Sequence, residues 1–305
     1  MKRVHAIVMT GNDENGFING VPKCYVDLPD ISDIKKPNPA SLVLSSLNMA
    51  KRVQSITVIG DEECLESKLK VYSREIKKPI IKVYQKEEAS FADNLYLSHD
   101  VLCKRLNLDE DTGVLYVSGD APFRRHVTID DFIEQIKDGS DVAMCLIEKE
   151  YLKQFLHVFR KPLLPISKNG KLKWCKPDDM VFIKPKKIPR NIIETLYQRR
   201  RTDKVRWSYG VLKLFLEEYP KLFPTLAVGV ILRQFKRSTN ITLPLFNGSL
   251  DIAKIEKIAR EYPPNLNGQI ITTRYADGYL DIDNEADYRK IHSNFSRLKY
   301  ELVKL

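Results

Sequence analysis

The chain has 305 residues, of which 43% are hydrophobic and 30% are charged, with 50 Lys and Arg against 40 Asp and Glu. This composition excludes an intrinsically disordered chain, a collagen-like or coiled-coil repeat and a small disulfide-stapled domain, and the length suits one large or two average domains. The formal charge of +10 favours anionic partners, namely phosphorylated small molecules, nucleic acid or an acidic membrane surface, without choosing among them.

The five cysteines lie far apart, with no C-x-x-C pair and no histidine at metal-ligand spacing: Cys24, Cys64, Cys103, Cys145 and Cys175. Such scattered thiols argue against a zinc site or a redox pair and are typical of a reducing compartment. The chain starts directly with a strand-like segment and shows no signal-peptide core. Its longest mostly apolar stretch, residues 222–232, is too short to cross a bilayer. We therefore expect a cytoplasmic protein without a transmembrane segment.

Strands and helices alternate through the first half of the chain. Helix-capping signals occur at Asn38, before Pro39, and at Ser90, before Asp93, and Thr128 opens a further helix. Short apolar runs predict the strands, at residues 4–9, 55–60, 79–84, 113–120 and 141–147. This order predicts a three-layer α/β domain with a mostly parallel sheet.

The second half has a different pattern, with fewer strands and a long helical stretch. It is predicted to begin with strands at 171–174 and 180–183, separated by a turn at 176–179, and to continue with helices within 192–235. A helix capped by Ser249, strands at 269–273 and 279–282, and a terminal helix capped by Asn284 are predicted to follow. We expect residues 1–184 to form the α/β core and residues 185–264 to be a largely helical insertion packed on it. Residues 265–305 are expected to complete the core.

Two carboxylate-bearing segments are candidates for ligand binding. Ligands of open α/β sheets lie outside the carboxyl ends of the strands, where the strand at 113–120 delivers Gly119 and Asp120. An aspartate there can hold Mg²⁺, which takes one or two carboxylates together with phosphate oxygens and water. A turn aspartate bonded to nearby amides explains the residue equally well. Asp281 and Asp283 precede the terminal helix and are predicted to share one side of a strand.

These segments resemble the motifs of the MobA-like nucleotidyltransferases, a group that includes molybdopterin guanylyltransferase and the sugar-phosphate nucleotidyltransferases. That family has a first strand, a glycine-rich loop ending in lysine, a GDxP metal site and a late DIDTPED segment. The resemblance covers about residues 3–150 and 265–295, and it implies a Rossmann-like, GT-A-type sheet in a divergent member with a helical insertion. The matching segments, in the same order, are Ala6-Ile7-Val8-Met9-Thr10-Gly11, Pro22-Lys23, Ser118-Gly119-Asp120-Ala121-Pro122-Phe123 and Asp281-Ile282-Asp283-Asn284-Glu285-Ala286-Asp287-Tyr288.

The resemblance implies that a phosphorylated acceptor, a sugar phosphate or cofactor precursor, attacks the α-phosphorus of an NTP and releases pyrophosphate. Such chemistry needs positioning and cationic stabilisation but no protein nucleophile. By the same resemblance, Lys23 and Asp120 are the catalytic residues, and Mg²⁺ (or Mn²⁺) is bound by Asp120 with Asp281 or Asp283. The implied nucleotide-binding residues are Thr10, Gly11, Asn12, Lys23, Asn94 and Gly119.

Several cations are candidates for holding an acceptor phosphate: Arg124, Arg125, Arg160, Lys161, the lysines of residues 173–176, and Arg201. A surface turn explains Arg124 and Arg125 equally well, and a solvated helix face is the favoured explanation of the run that contains Arg201. The basic run at 198–207 also permits nucleic-acid contact, which we do not favour. Two alternative functions remain. A glycosyltransferase-like protein of the same fold is disfavoured, because Asp120-Ala121-Pro122 departs from an Asp-x-Asp turn. A non-catalytic nucleotide binder is favoured by the acidic residues Asp13 and Glu14 and by the lack of Arg or Lys ahead of Lys23 in the loop.

Overall fold

The computed structural model describes residues 2–11, 16–31, 35–69, 76–156, 158–159, 161, 163–194, 250–261 and 265–303. No helix in these ranges is long and apolar enough to cross a membrane. The strands are β1 (Val4–Met9), β2 (Phe17–Ile18), β3 (Val21–Pro22), β4 (Val53–Gly60), β5 (Ile80–Tyr84), β6 (Val114–Ser118), β7 (Val142–Glu148), β8 (Leu164–Lys168), β9 (Lys171–Ile183), β10 (Leu250–Asp251) and β11 (Gly268–Thr273). The helices are α1 (Pro39–Met49), α2 (Glu62–Ser67), α3 (Phe91–Leu106), α4 (His126–Gln135), α5 (Lys149–Leu152), α6 (Ile252–Glu261) and α7 (Glu285–Val303).

Nine of the described strands form one mixed sheet around β1, and β2 and β3 form a separate hairpin. β1 is parallel to β4 on one side and to β6 on the other, and β5 is parallel to β4. The long β9 runs antiparallel to β6, β7 and β8, and β11 is parallel to β7. Because the chain places neighbours of β1 on both of its sides, a crevice is expected at the carboxyl ends of the central strands.

Helices cover both faces of the sheet. Val8 of β1 packs in one apolar cluster with Leu47 of α1 and Phe132 of α4. Ile7, the preceding residue, packs on the opposite face with Leu95 of α3. Strands buried on both faces are apolar along their whole length, which is why they were recognisable in the sequence. The three-layer, mostly parallel α/β architecture is therefore confirmed.

The prediction of two strands separated by a turn at 176–179 is wrong, because β9 is one continuous strand of 13 residues. Pro177 pairs with Leu146 of β7 next to a register shift, a place where a sheet tolerates a residue without an N–H group. Asp178 is buried, and its carboxylate binds the guanidinium of Arg124. Asp178, a residue type common in turns, therefore forms a buried ion pair inside a strand.

The predicted strand at 279–282 is also wrong. Asp277–Tyr279 is a 3-10 turn, and the residues that follow it have no regular structure up to α7. Leu280 and Ile282 are fully buried, which produces the apolar pattern that resembles a strand. The Ile282 N–H donates a hydrogen bond of 3.0 Å to the carbonyl oxygen of Asp120, so this segment lies against the turn that follows β6.

The sheet resumes at Leu250, inside the range 185–264 predicted for the helical insertion. β10 pairs in parallel with β8, and Glu256 of α6 accepts a hydrogen bond of 2.9 Å from the Ile270 N–H of β11. β10 and α6, which lie in the C-terminal part of the predicted insertion, are therefore in contact with the sheet. The remaining predicted helical stretch, residues 195–249 with the basic run, lies outside the described residues.

Candidate active site

An open crevice lies at the carboxyl ends of β1, β4 and β6, where the topology predicts it. Its polar lining comes from Lys23, Gln85, Asn94, Ser118 and Asp120. The rings of Phe91 and Tyr116 form part of its apolar lining and contact each other edge to face, with 5.4 Å between their centroids. Lys23 and the Asp120 turn therefore meet in one place.

Lys23 and Asp120 form an ion pair in this crevice, with 2.6 Å between Lys23 Nζ and Asp120 Oδ2. Ser118 Oγ donates a hydrogen bond of 2.6 Å to the other carboxylate oxygen, Asp120 Oδ1. Burial disfavours the Lys23 ammonium, but Asp120 together with Cys24 and Asp283 outweighs burial and raises the pKa of Lys23 well above its usual value. Lys23 therefore stays positively charged at neutral pH.

Thr10 and Gly119, two of the predicted nucleotide-binding residues, hold the strand ends together. Thr10 is fully buried, and its hydroxyl lies 2.6 Å from that of Tyr25 and donates a hydrogen bond of 2.9 Å to the Ile59 carbonyl. The Gly119 N–H donates to the Met9 carbonyl at 3.0 Å. A Cβ at position 119 would lie 2.9 Å from that same carbonyl oxygen. Both residues support the crevice, but their polar groups are engaged within the protein.

Two carboxamides, of Asn94 and Gln85, line the crevice. Asn94 lies in the first turn of α3 and is 8% exposed, and among the described residues its Oδ1 atom has no hydrogen-bond partner. Such an unpaired atom costs about 1–3 kcal/mol, a cost that a donor group of a ligand would remove. Gln85 lies over Gly11, where a Cβ would be 2.0 Å from Gln85 Oε1. Gln85 was not predicted from the sequence as a site residue, although its position directly after a strand of the sheet is typical of ligand-binding residues.

Two lysines bind the late aspartates. Lys161 Nζ lies 2.6 Å from Asp281 Oδ1 and 3.3 Å from Asp283 Oδ2. Lys176 Nζ lies 3.2 Å from the same oxygen of Asp281 and donates to the Gly278 carbonyl at 3.1 Å. Burial disfavours the Lys161 ammonium, but Asp281 and Asp283 outweigh burial and raise the pKa of Lys161 above its usual value. Both lysines were predicted as candidates for binding an acceptor phosphate, but in the structure they neutralise Asp281.

Asp120 and Asp283 are the two carboxylates best suited to hold a divalent cation. The Asp281 side chain is 3% exposed and shared by two lysines, whereas that of Asp283 is 27% exposed. Within the described ranges, no three His, Cys, Asp or Glu side chains form a group that could hold a metal ion. Two carboxylate donors fit Mg²⁺, which completes its coordination with phosphate oxygens and water.

Two of the four arginines predicted to bind an acceptor phosphate, Arg124 and Arg125, are engaged elsewhere in the fold. Arg124 is buried, and its Nη1 and Nη2 atoms lie 2.6 and 2.5 Å from the carboxylate oxygens of Asp178. The Arg125 guanidinium lies over the Tyr275 ring, 5.4 Å from its centroid, and donates to the Leu302 carbonyl at 2.5 Å. The other predicted site residues lie outside the described part of the chain: Asn12, Arg160 and Arg201.

The chain matches no protein-family model and no curated protein. Solved structures do share its fold. A hypothetical transferase from Thermus thermophilus superposes with a TM-score of 0.57 at 15% identity, over 93% of this chain and 99% of that chain. The 4-diphosphocytidyl-2C-methyl-D-erythritol synthase of Anaerococcus prevotii superposes with a TM-score of 0.50 at 10% identity, over 97% of each chain. The chain therefore shares the mostly parallel, Rossmann-like α/β fold of these two structures.

Proposed function

We propose that this protein is a MobA-like nucleotidyltransferase, which moves a nucleotidyl group from an NTP to a phosphorylated small molecule and releases pyrophosphate. The observation that carries the proposal is that Lys23 and Asp120 lie together in the crevice beside β1, and that the segment of Asp283 is hydrogen-bonded to the Asp120 turn through Ile282. These are a cation and two carboxylates, delivered by three of the segments that resemble the family motifs. The excess of positive charge is consistent with two anionic substrates.

Each group in the crevice has a role in this reaction. Asp120 and Asp283 would hold Mg²⁺, which when bound neutralises phosphate charge and polarises the phosphorus–oxygen bonds. Lys23, which now neutralises Asp120, would contact the triphosphate once that carboxylate faces the cation. Asn94 and Gln85 would hydrogen-bond the base or the ribose. The positive charges and the fixed geometry lower the barrier without a protein nucleophile.

Donor binding is the first experiment, because it needs no knowledge of the acceptor. Thermal unfolding is measured with each NTP, with Mg²⁺ and then with EDTA. CTP is tested first, because the Anaerococcus protein of the same fold is named for a diphosphocytidyl product. A ligand at about a hundred times its dissociation constant stabilises the folded state by about 2.7 kcal/mol, a shift of several degrees. The proposal expects a base-selective shift that requires Mg²⁺.

Three aspartate variants test the metal assignment. Asp120→Asn and Asp283→Asn should each remove the Mg²⁺-dependent part of the NTP shift. In a pyrophosphate-release assay each should lower the rate by about two orders of magnitude or more, because a metal ion supplies several kcal/mol of charge stabilisation. Asp281→Asn should instead lower the melting temperature, since it leaves two buried lysines with less negative charge. Asp138→Asn, at an exposed site, is the matched control and should behave as wild type.

Other outcomes identify the alternatives. A rise in melting temperature with an NTP, without pyrophosphate release for any phosphorylated acceptor, would favour a non-catalytic nucleotide binder. Hydrolysis or transfer from a nucleotide-sugar, with no response to an NTP, would favour a glycosyltransferase-like function. Equal Mg²⁺ dependence in Asp283→Asn and wild type would contradict the assignment of that carboxylate.

A further inference from the structure

A buried ion pair lies behind the candidate active site and connects three segments of the chain. Arg124 follows the turn of Asp120, and Asp178 is in the middle of β9; neither side chain is exposed. The Arg124 guanidinium and the Asp178 carboxylate form two parallel hydrogen bonds. The Arg124 carbonyl accepts a hydrogen bond of 2.5 Å from Ser46 Oγ of α1, so the backbone at this residue is held as firmly as its side chain.

The third segment, at Gly278, lies directly on this ion pair. A Cβ on Gly278 would be 2.4 and 2.5 Å from the two oxygens of Asp178 and 2.5 Å from Arg124 Nη1. Those distances leave no room for any side chain, so the backbone of the 3-10 turn is in contact with the pair. The neighbouring Asp277 carboxylate accepts hydrogen bonds of 2.8 Å from the Arg125 N–H and 2.6 Å from the Thr128 hydroxyl.

This contact fixes the start of the segment that carries the late aspartates. The backbone runs from Gly278 to Ile282, where the N–H donates to the Asp120 carbonyl at 3.0 Å. The Asp120 turn and the Gly278 turn are thus joined in three ways: through the contact of Gly278 with the ion pair, through the hydrogen bond from the Arg125 N–H to Asp277, and through Ile282. A displacement of the ion pair would therefore shift the Gly278 end of the segment that carries Asp283.

The physical cost of the pair supports a role in positioning. Burying two charges is expensive, and well-packed apolar residues of similar volume are often equally stable or more stable. We propose that the Arg124–Asp178 pair is a positioning device, which sets the place of Asp283 relative to Asp120 through the backbone of Gly278. Of the two measurements that test this inference, only the Mg²⁺ dependence rests on the proposed function.

Two variants test it. In the double variant Arg124→Met with Asp178→Leu, an apolar pair replaces the ion pair without leaving a charge unpaired. In Gly278→Ala the ion pair stays, but the added methyl group must displace the turn. The first measurement is amide hydrogen exchange at Ile282 without any ligand, with the β1 amides as internal reference. Both variants should exchange at Ile282 at least about tenfold faster, while β1 stays unchanged, because only the local contact opens.

The second measurement is the Mg²⁺ concentration at half-maximal NTP-dependent thermal shift. It should rise by about 10- to 100-fold in both variants, which is typical when groups that orient a metal ligand are lost. The shift with NTP and EDTA should stay as in wild type. The matched control is Arg52→Met with Glu134→Leu, which removes an arginine–carboxylate pair of 2.6 Å before β4 and should leave both readouts unchanged.

Wild-type exchange at Ile282 together with a wild-type Mg²⁺ midpoint, in either variant, would overturn the inference. If wild-type protein shows no Mg²⁺-dependent NTP shift, the proposed function fails, and the exchange rate of Ile282 still decides whether the pair positions the segment. If the double variant does not fold, Gly278→Ala decides both readouts.

Discussion

At the scale of single residues, the crevice contains side chains whose charges are already balanced. Lys23 forms an ion pair with Asp120, and its pKa is raised because Asp120, Cys24 and Asp283 together outweigh the effect of burial. A group with a raised folded-state pKa of this kind stabilises the fold below its unfolded value, about 10.4, and the stabilisation is lost only as the pH rises through the folded value. The ion pair should therefore be insensitive to pH throughout the neutral range.

The thiols give a residue-scale prediction. Cys64 is the least buried of the five cysteines, but burial and the nearby Asp61 raise its pKa to about 11. We expect iodoacetamide at pH 8 to modify Cys64 first, about ten- to a hundredfold more slowly than a free cysteine, because the thiolate is the reactive form. Peptide mass spectrometry over time checks the order. Earlier modification of Cys145 or Cys175 would contradict the described burial.

At the scale of elements, local signals determine where the helices begin. The Asn38 side chain accepts a hydrogen bond from the Ser41 N–H, and the Ser41 hydroxyl accepts one from the Asn38 N–H, with Pro39 in the first turn. The same reciprocal arrangement joins Ser90 and Asp93 at the start of α3. These capping signals were readable because they involve residues three positions apart.

The cap of α1 gives an element-scale prediction. Asn38→Ala should lower the free energy of unfolding by about 1 kcal/mol, since it removes the acceptor for one N–H of the first turn. Urea denaturation measures it. Asn107→Gly is the matched control at the other end of a helix: Asn107 has a left-handed φ of 51°, which glycine adopts without strain, so that variant should be as stable as wild type. A loss of stability equal to that of Asn38→Ala would contradict the prediction.

At the scale of the whole molecule, the candidate site is assembled from segments far apart in the chain. Three lysines, Lys23, Lys161 and Lys176, face three aspartates, Asp120, Asp281 and Asp283. The cluster therefore carries no net charge, and a divalent cation has to compete with ammonium groups for the carboxylates. Phosphate oxygens of a bound substrate would change that balance, because they supply both ligands and negative charge.

This balance gives a whole-molecule prediction. Millimolar Mg²⁺ alone should leave the melting temperature unchanged, whereas Mg²⁺ with the correct NTP should raise it by several degrees, and EDTA should reverse the rise. Differential scanning fluorimetry checks all three conditions, with NaCl of equal ionic strength as the control for screening. A large shift with Mg²⁺ alone would mean that the metal site exists before the nucleotide binds.

The amino-acid sequence by itself determined the α/β class, the central strands, the capped helices and the candidates Lys23 and Asp120. The fold class, strands and helices depend on apolar periodicity and on capping within one turn, and Asp120 is recognised by its place at a strand end, which are all local signals. Lys23 is a candidate only through the resemblance to the family motifs. The tertiary structure alone decided that β9 is continuous and that Arg124 and Lys161 are paired inside the fold. It also decided that Asp281 is neutralised while Asp283 is more exposed. Burial and ion pairing depend on residues more than fifty positions apart, and no local pattern encodes them.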